Sequence, residues 1–300
     1  RPDGIHKGER IPVTARGQAL GQGLVAGSIQ IFGRIAGQGG PWIHWLSGNG
    51  FCGGVYWPML RPLARDHQLF LHDIEGQGDS GVPPRFRGSR TMLRRVPEVM
   101  DDCGLPAQGL IGMGHSYGGA MTLRLADRHP GRFRALVLLD PILLPTHLWL
   151  GLKLASALGR NPMAGAARRR RALWASRDDA RSRLAGRGVY AGWTDEALDH
   201  FLDHATRDTP EGRALCCPPA IEAAIFEQPF YPWAAIRRLR IPTLVLIGRD
   251  SYPFFPQTAR RIQALAPQVR IERMTGDHCF MQQHPADTTA AIRAFLTALP

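Results

Sequence analysis

A serine flanked by glycines is the strongest chemical signal in this sequence. Residues 114–119 read Gly-His-Ser-Tyr-Gly-Gly, after the apolar run 109–113 and before a predicted helix over 120–129. A serine on a G-x-S-x-G turn between a strand and a helix has its hydroxyl lifted clear, and the glycines let neighbouring backbone pass without a Cβ clash. We therefore predict that Ser116 is a nucleophile; a plain structural turn is the alternative.

A serine hydroxyl becomes a good nucleophile only when an imidazole takes its proton, so a histidine must meet Ser116 in space. His278, in Gly276-Asp277-His278, directly follows the last strand-like run, 269–274. His284 precedes Pro285 at the start of the last helix, where capping or surface exposure explains it. His278 is therefore the predicted general base.

Two aspartates compete to orient that imidazole. Asp250 follows the apolar run 243–247 and lies 28 residues before His278, which leaves room for one helix and one strand. Asp140 ends the run 135–139 and could reach the same imidazole from the tip of the preceding strand, although a turn before Pro141 also explains it. Asp250 is the first choice, and Asp140 stays open.

Acyl transfer also needs N–H donors aimed at the developing oxyanion. The loop Ser47-Gly48-Asn49-Gly50-Phe51 follows the strand-like run 42–46, where one donor is expected. We predict that the backbone N–H of Asn49 is this donor and that the N–H of Tyr117 is the second. A mere turn is the alternative for the glycine-rich loop.

The elements that must position these residues are apolar runs of strand length with helical patterns between them, namely 28–35, 42–46, 68–72, 109–113, 135–139, 243–247 and 269–274. This alternation predicts an α/β fold, a parallel sheet covered by helices. Between 142 and 230 the sequence becomes helical and charged, with chain-breaking prolines at both ends. We predict one sheet domain, residues 1–141 and 231–300, with a helical cap inserted at 142–230.

Taken together, these motifs resemble the α/β-hydrolase superfamily, and more closely its capped serine-hydrolase members. The resemblance rests on the elbow 114–119, on Asp73-Ile74-Glu75-Gly76-Gln77-Gly78-Asp79-Ser80, similar to the family's D-x-x-G-x-G-x-S loop, and on Gly276-Asp277-His278. It implies an eight-stranded, mostly parallel sheet with helices on both faces, the order Ser, acid, His along the chain, and no metal or organic cofactor.

The sequence departs from the family pattern at two places. Ser47-Gly48 stands where family members usually carry His-Gly, which puts the hydrogen bonding of the oxyanion loop in question. The acid usually falls three residues after the glycine that ends its strand; here Ser251 holds that place and Asp250 comes one earlier. Some capped relatives place the acid after the earlier strand, as Asp140 would be.

The charge of the sequence indicates which kinds of binding partner are plausible. The formal net charge is +12, and residues 160–190 hold nine arginines against two aspartates. The first interpretation is a solvated helix face, and the second is a basic rim for an acidic partner such as a phosphate-bearing acyl carrier. No recognition motif favours nucleic acid. His200 and His204, four apart, could hold a metal, but no third ligand is evident.

The expected location is the cytoplasm. Five cysteines without C-x-x-C spacing suit a reducing compartment. The segment 1–16 lacks the apolar stretch of a signal peptide, and no apolar run is long enough to span a bilayer.

The leading functional prediction is hydrolysis of a carboxylic ester, with an apolar acyl part, through an acyl-enzyme on Ser116. The alternatives are a thioesterase or acyl transferase acting on carrier-bound acyl groups, a lactone or C–C bond hydrolase, and a small-molecule receptor with slow or absent turnover. The nucleophile is Ser, whereas epoxide hydrolases and dehalogenases of this superfamily use Asp.

Overall fold

The computed structural model describes residues 13–14, 30–84 and 86–300. Most of the basic segment 1–16, and residues 28 and 29 at the start of the first predicted strand, lie outside the described residues. The strands are β1 (Val13–Thr14), β2 (Gln30–Ala36), β3 (Trp42–Leu46), β4 (Gln68–Asp73), β5 (Leu110–His115), β6 (Phe133–Leu139), β7 (Leu173–Trp174), β8 (Thr206–Thr209), β9 (Gly212–Leu215), β10 (Thr243–Gly248) and β11 (Arg270–Met274).

The helices cover the intervals between the strands. They are α1 (Trp57–Leu60), α2 (Ser89–Asp102), α3 (Ser116–Arg128), α4 (Thr146–Ala157), α5 (Pro162–Arg168), α6 (Arg177–Leu184), α7 (Asp195–His204), α8 (Pro219–Phe226), α9 (Trp233–Arg238), α10 (Phe255–Leu265), α11 (Phe280–Gln283) and α12 (Pro285–Thr297). No helix in the part of the chain described is long and apolar enough to cross a bilayer.

The main sheet has the strand order β1-β2-β4-β3-β5-β6-β10-β11. β1 and β2 pair antiparallel, as do β2 and β4, and every pair from β4 to β11 is parallel. The predicted class, an α/β fold with a mostly parallel sheet, is confirmed. Each predicted strand is present, and within the described residues its ends differ from the prediction by at most two positions.

Apolar residues line both faces of the sheet, as the unbroken apolar runs predicted. Along β6, Leu136 and Leu138 belong to a core layer with α2, α3, α9 and α10, whereas Val137 and Leu139 belong to an opposite layer with α1, α11 and α12. Because the central strands are parallel, β3, β5, β6, β10 and β11 all end at the same edge of the sheet. The loops that follow them are therefore brought together.

The interval between β6 and α9 contains α4 to α8 and a small antiparallel sheet with the order β7-β9-β8. The sequence predicted helices here, and the helices are present. The strands were missed because each has only two to four residues, too few for a period-2 pattern to stand out.

Candidate active site

Ser116 lies on a tight turn between β5 and α3. Its φ is +54°, in the left-handed region that non-glycine residues rarely adopt. A Cβ on Gly114 would lie 2.7 Å from the Gly118 carbonyl group, and a Cβ on Gly118 would lie 2.3 Å from the carbonyl oxygen of Leu46. The two glycines of the motif are therefore required by the close approach of backbone, as the sequence predicted.

His278 lies in the loop between β11 and α11 and contacts Ser116. Its Nε2 is 2.9 Å from the Ser116 hydroxyl oxygen, and its Nδ1 is 2.6 Å from Oδ2 of Asp140. The three side chains thus form one line, hydroxyl to imidazole to carboxylate. This arrangement can lower the cost of taking the serine proton, because the carboxylate stabilises the imidazolium that forms.

Asp140 directly follows β6 and is completely buried. Its φ is +43°, which an aspartate tolerates better than most residues. Besides His278, its carboxylate accepts hydrogen bonds from the Gly248 N–H (2.9 Å, to Oδ1) and from the Ser251 hydroxyl (to Oδ2). Three donors therefore hold one buried negative charge in place.

Asp250, the first choice from the sequence, is corrected by this geometry: Asp140 contacts the imidazole, and Asp250 does not. The Asp250 N–H donates to the carbonyl oxygen of Gly276 (3.0 Å), which pins the backbone, and the residue is exposed to solvent. The family position for the acid is occupied by Ser251, whose hydroxyl instead supports Asp140. Sequence reasoning noted Ser251 as a departure but did not predict that contact.

The loop after β3 packs directly against the turn that carries Ser116. A Cβ on Gly118 would lie 2.5 Å from the carbonyl oxygen of Ser47, so the loop and the start of α3 touch. Among the described residues, neither the Asn49 N–H nor the Tyr117 N–H has a hydrogen-bond partner. The Tyr117 N–H lies in the first turn of α3, where N–H groups are unsatisfied and favour negative charge.

The loop after β3 carries Ser47 where family members usually carry His, and it is nevertheless held by hydrogen bonds. The Ser47 hydroxyl accepts a hydrogen bond from the Trp45 indole (3.1 Å), and the Gly48 N–H donates to the Tyr56 hydroxyl (3.1 Å). Tyr56 had no signal in the sequence, because nothing in its local pattern indicates a contact eight residues back. The hydrogen bonding that the sequence left in question is thus supplied by Trp45, which precedes the loop, and by Tyr56, which follows it.

An ion pair from the 142–230 region lies beside this loop. Arg170 donates to Glu222 (2.8 Å) and to the Tyr190 hydroxyl, and both charged side chains are largely buried. The carbonyl oxygen of Glu222 accepts from the side-chain amide of Asn49 (2.8 Å), and a Cβ on Gly50 would lie within 3.2 Å of both members of the pair. The loop after β3 is therefore attached to α8.

Most of the arginines in 160–190 form ion pairs with carboxylates of α6, α7 and α8 or with Glu227, the residue after α8. Six of the nine make ion pairs, namely Arg168, Arg170, Arg171, Arg177, Arg181 and Arg183. The two aspartates beside His200 and His204 are held by Arg177. Within the described residues, no cluster of three or more His, Cys, Asp or Glu side chains could hold a metal ion.

The cysteines near the site are poor nucleophiles. Cys52 and Cys279 are buried, and this burial raises the pKa of both thiols well above the usual range. Both thiols therefore stay protonated at neutral pH, and neither is activated as a nucleophile.

A model of the alpha/beta hydrolase family matches residues 42–292. Polyketide synthase ThaQ of Burkholderia thailandensis is 26% identical over 276 residues, 87% of this chain and 12% of that protein. Type I acyl-CoA thioesterase mpaH of Penicillium brevicompactum is 33% identical over 153 residues, 47% of this chain and 33% of that protein. The chain thus spans a third or less of the length of these relatives.

Among solved structures, the fold is similar to E-2-(acetamidomethylene)succinate hydrolase, with a TM-score of 0.73 and 19% identity. The match covers 90% of this chain and 96% of the other. At this identity the likeness concerns the fold alone.

Proposed function

Because the chain belongs to the alpha/beta hydrolase family, we propose that it is a serine hydrolase that cleaves a carboxylic ester through an acyl-enzyme. The observation that carries this proposal is the line from Ser116 through His278 to Asp140, with contacts of 2.9 Å and 2.6 Å. Both distances are within hydrogen-bonding reach, which is the geometric requirement for a nucleophile and its base. In this proposal Asp140 takes the role that the sequence assigned first to Asp250.

The reaction begins when the Ser116 oxygen attacks the ester carbonyl carbon and His278 Nε2 takes the hydroxyl proton. The carbonyl π bond opens, and its electron pair becomes the oxyanion, which the N–H groups of Asn49 and Tyr117 bind. The C–O bond to the alcohol then breaks, and His278 returns its proton to the departing oxygen. Water repeats the cycle on the acyl-enzyme and releases the acid.

The 142–230 region acts as the cap over this site in our proposal. Its α8 reaches the oxyanion loop through the bond from Asn49 to Glu222, and Phe230 stacks on the Tyr117 ring at 5.2 Å. Substituents of the acyl group would meet this region, so it would set chain-length preference.

The test is a burst-phase assay with p-nitrophenyl esters of graded acyl length. Ser116→Ala and His278→Ala are each expected to lower kcat by about 10⁴-fold or more, because the triad acts as a unit. Ser182→Ala, which removes an exposed hydroxyl on α6, is the matched control and should leave kcat unchanged. Turnover that survives Ser116→Ala, or a ligand bound tightly without turnover, would contradict the proposal; the second result would favour a receptor.

A thioester on an acidic carrier is the second candidate substrate, and a surface feature favours it. Leu150, Leu154 and Leu158 follow one face of α4 and the residue after it and are 55%, 61% and 60% exposed. No Asp or Glu occurs between Asp140 and Asp178, so this apolar face lies in a purely basic stretch of chain. An acidic partner with an apolar contact surface would fit both properties.

Two cations in this stretch make the second candidate testable. Arg160 and Arg169 are exposed, and neither has an ion-pair partner among the described residues. The double variant Arg160→Glu/Arg169→Glu should raise KM about tenfold for a carrier-bound thioester and leave KM for the free p-nitrophenyl ester unchanged. Arg237→Glu, exposed on α9, is the control. An equal effect on both substrates would rule out carrier docking at this surface.

A further inference from the structure

One chain of hydrogen bonds joins the loop after β3 to the loop that carries His278. The Gly48 N–H is 3.1 Å from the Tyr56 hydroxyl oxygen, which is 2.7 Å from Nδ1 of His115. Nε2 of His115 is in turn 2.9 Å from the backbone carbonyl oxygen of His278. The donor loop and the base are thereby connected through side chains that touch neither Ser116 Oγ nor the carboxylate.

The hydrogens along this chain can be assigned by elimination. Burial lowers the pKa of His115 well below its usual range, so the ring is neutral and carries one N–H. A carbonyl oxygen only accepts, so the hydrogen must be on Nε2 and Nδ1 must accept from the Tyr56 hydroxyl. Burial also raises the pKa of Tyr56 well above its usual range, which keeps this donor protonated. The Tyr56 oxygen then accepts from Gly48.

The surroundings leave this chain little freedom. Tyr56 is fully buried and His115 nearly so. A Cβ on Gly48 would lie 2.7 Å from His115 Nδ1, so only glycine lets the loop approach the ring. The His115 ring also contacts the His278 ring, with centroids 4.7 Å apart. Displacement of Tyr56 or His115 would therefore move the loop that carries His278, the loop after β3, or both.

We propose that Tyr56 and His115 are positioning residues. They hold the loop after β3 and the imidazole of His278 in the relative position that the reaction requires. The inference rests on the proposed function of the site. Gly48 adjoins Asn49, whose N–H is the proposed oxyanion donor, and the carbonyl of His278 fixes the backbone from which the imidazole projects. A displacement of about 1 Å in such a site can cost about 10²-fold in rate.

The first test is Tyr56→Phe, which removes the hydroxyl oxygen and keeps the ring. This ring packs against Trp45, with the two ring centroids 4.7 Å apart. Active sites are counted with a fluorophosphonate probe, and kcat is then expressed per titrated site. We expect kcat per titrated site to fall roughly 10- to 100-fold with KM within about twofold, because the loss affects alignment and not substrate contact.

Thr289→Val is the matched control for the loss of one buried hydroxyl. Thr289 donates to the carbonyl oxygen of Met59 (2.7 Å), which joins α12 to α1. This variant should lower Tm and leave kcat per titrated site unchanged. If Tyr56→Phe behaves in the same way, its role is structural only, and the inference is overturned.

A pair of substitutions at His115 gives a second, independent test. His115→Gln retains an N–H that can reach the carbonyl of His278, whereas His115→Met has similar length and no donor. The Gln variant should retain about 5- to 10-fold more kcat per titrated site than the Met variant, the ratio that one hydrogen bond of ordinary strength contributes. Equal values would overturn the inference even if Tyr56→Phe failed to fold.

The labelling step separates this inference from the proposed function. If the unmodified protein is not labelled at Ser116, the serine-hydrolase proposal itself fails. If it is labelled and the Tyr56 and His115 variants keep full kcat per titrated site, only the positioning role fails.

Discussion

The loops that follow β6 and β10 each present an aspartate near the carboxyl edge of the sheet, and they treat it differently. Asp140, after β6, is buried and accepts hydrogen bonds from Gly248, Ser251 and His278. Asp250, after β10, is exposed. The two strands are direct neighbours in the sheet, so the difference arises from the turns and not from the strands.

The loop after β10 nevertheless contributes to the site without supplying its carboxylate. Gly248 and Ser251 both donate to Asp140, from a backbone N–H and a hydroxyl. One loop therefore carries the charge and the other carries the donors that stabilise it. Exchanging these two roles is the most direct way to test the comparison.

The largest expected effect on kcat comes from Asp140→Asn, which is compared with Asp250→Asn. An amide at position 140 can still accept from Gly248 through its oxygen, but its NH₂ then faces Nδ1 of His278. The imidazole must take the other tautomer, with its hydrogen on Nε2, and can no longer accept the serine proton. We expect kcat to fall by about 10⁴-fold.

Asp250→Asn supplies the matched half of that comparison, the same chemical change in the neighbouring loop. Because this side chain is exposed and does not contact the imidazole, kcat should stay within about twofold, as is usual for surface substitutions. The measurement is the steady-state kcat of both variants with the same p-nitrophenyl ester. The reverse order of the two effects would restore Asp250 as the acid.

The sequence predicted the residues whose signals are local. Ser116 stands in a six-residue motif between a strand and a helix, and His278 lies in the loop that follows the last strand. The strands were recognisable because they are buried on both faces and therefore apolar throughout. Each of these inferences needs only a short stretch of chain.

The choice between the aspartates needed information that a short stretch does not contain. The backbone of Asp140 adopts a φ of +43°, and its carboxylate lies 2.6 Å from Nδ1 of His278. The spacing of Asp250 from His278 was correct for one helix and one strand, but spacing does not fix side-chain direction. The contact between Tyr56 and His115 likewise joins residues 59 apart.

An intermediate effect is expected when the acid is moved to the other loop. In the double variant Asp140→Asn/Ser251→Asp, the carboxylate introduced at position 251 starts from a side chain already bonded to the same oxygen that His278 contacts. Asparagine tolerates the left-handed backbone at position 140 and can donate to the new carboxylate.

We expect this double variant to recover about 10- to 100-fold in kcat over Asp140→Asn alone, because approximate placement of a carboxylate restores the tautomer but not full alignment. Asp140→Asn/Asp250→Glu is the control, because it places no carboxylate near the position that Oδ2 of Asp140 occupies in the unmodified protein. Equal kcat for the two double variants would show that the loop after β10 cannot deliver a carboxylate to His278.

Among the changes to the groups that contact His278 or Asp140, the smallest loss should come from Ser251→Ala. This change removes one of three donors to Asp140 and leaves the Gly248 N–H and the contact with His278 in place. A single hydrogen bond contributes about 1 to 1.5 kcal/mol, so kcat should fall by about tenfold at most. Ser251→Thr keeps the hydroxyl and should retain more kcat than the alanine variant, and both are measured with the ester used for Asp140→Asn. A loss in Ser251→Ala as large as that in Asp140→Asn would mean that the hydroxyl, and not the carboxylate alone, determines the tautomer of His278.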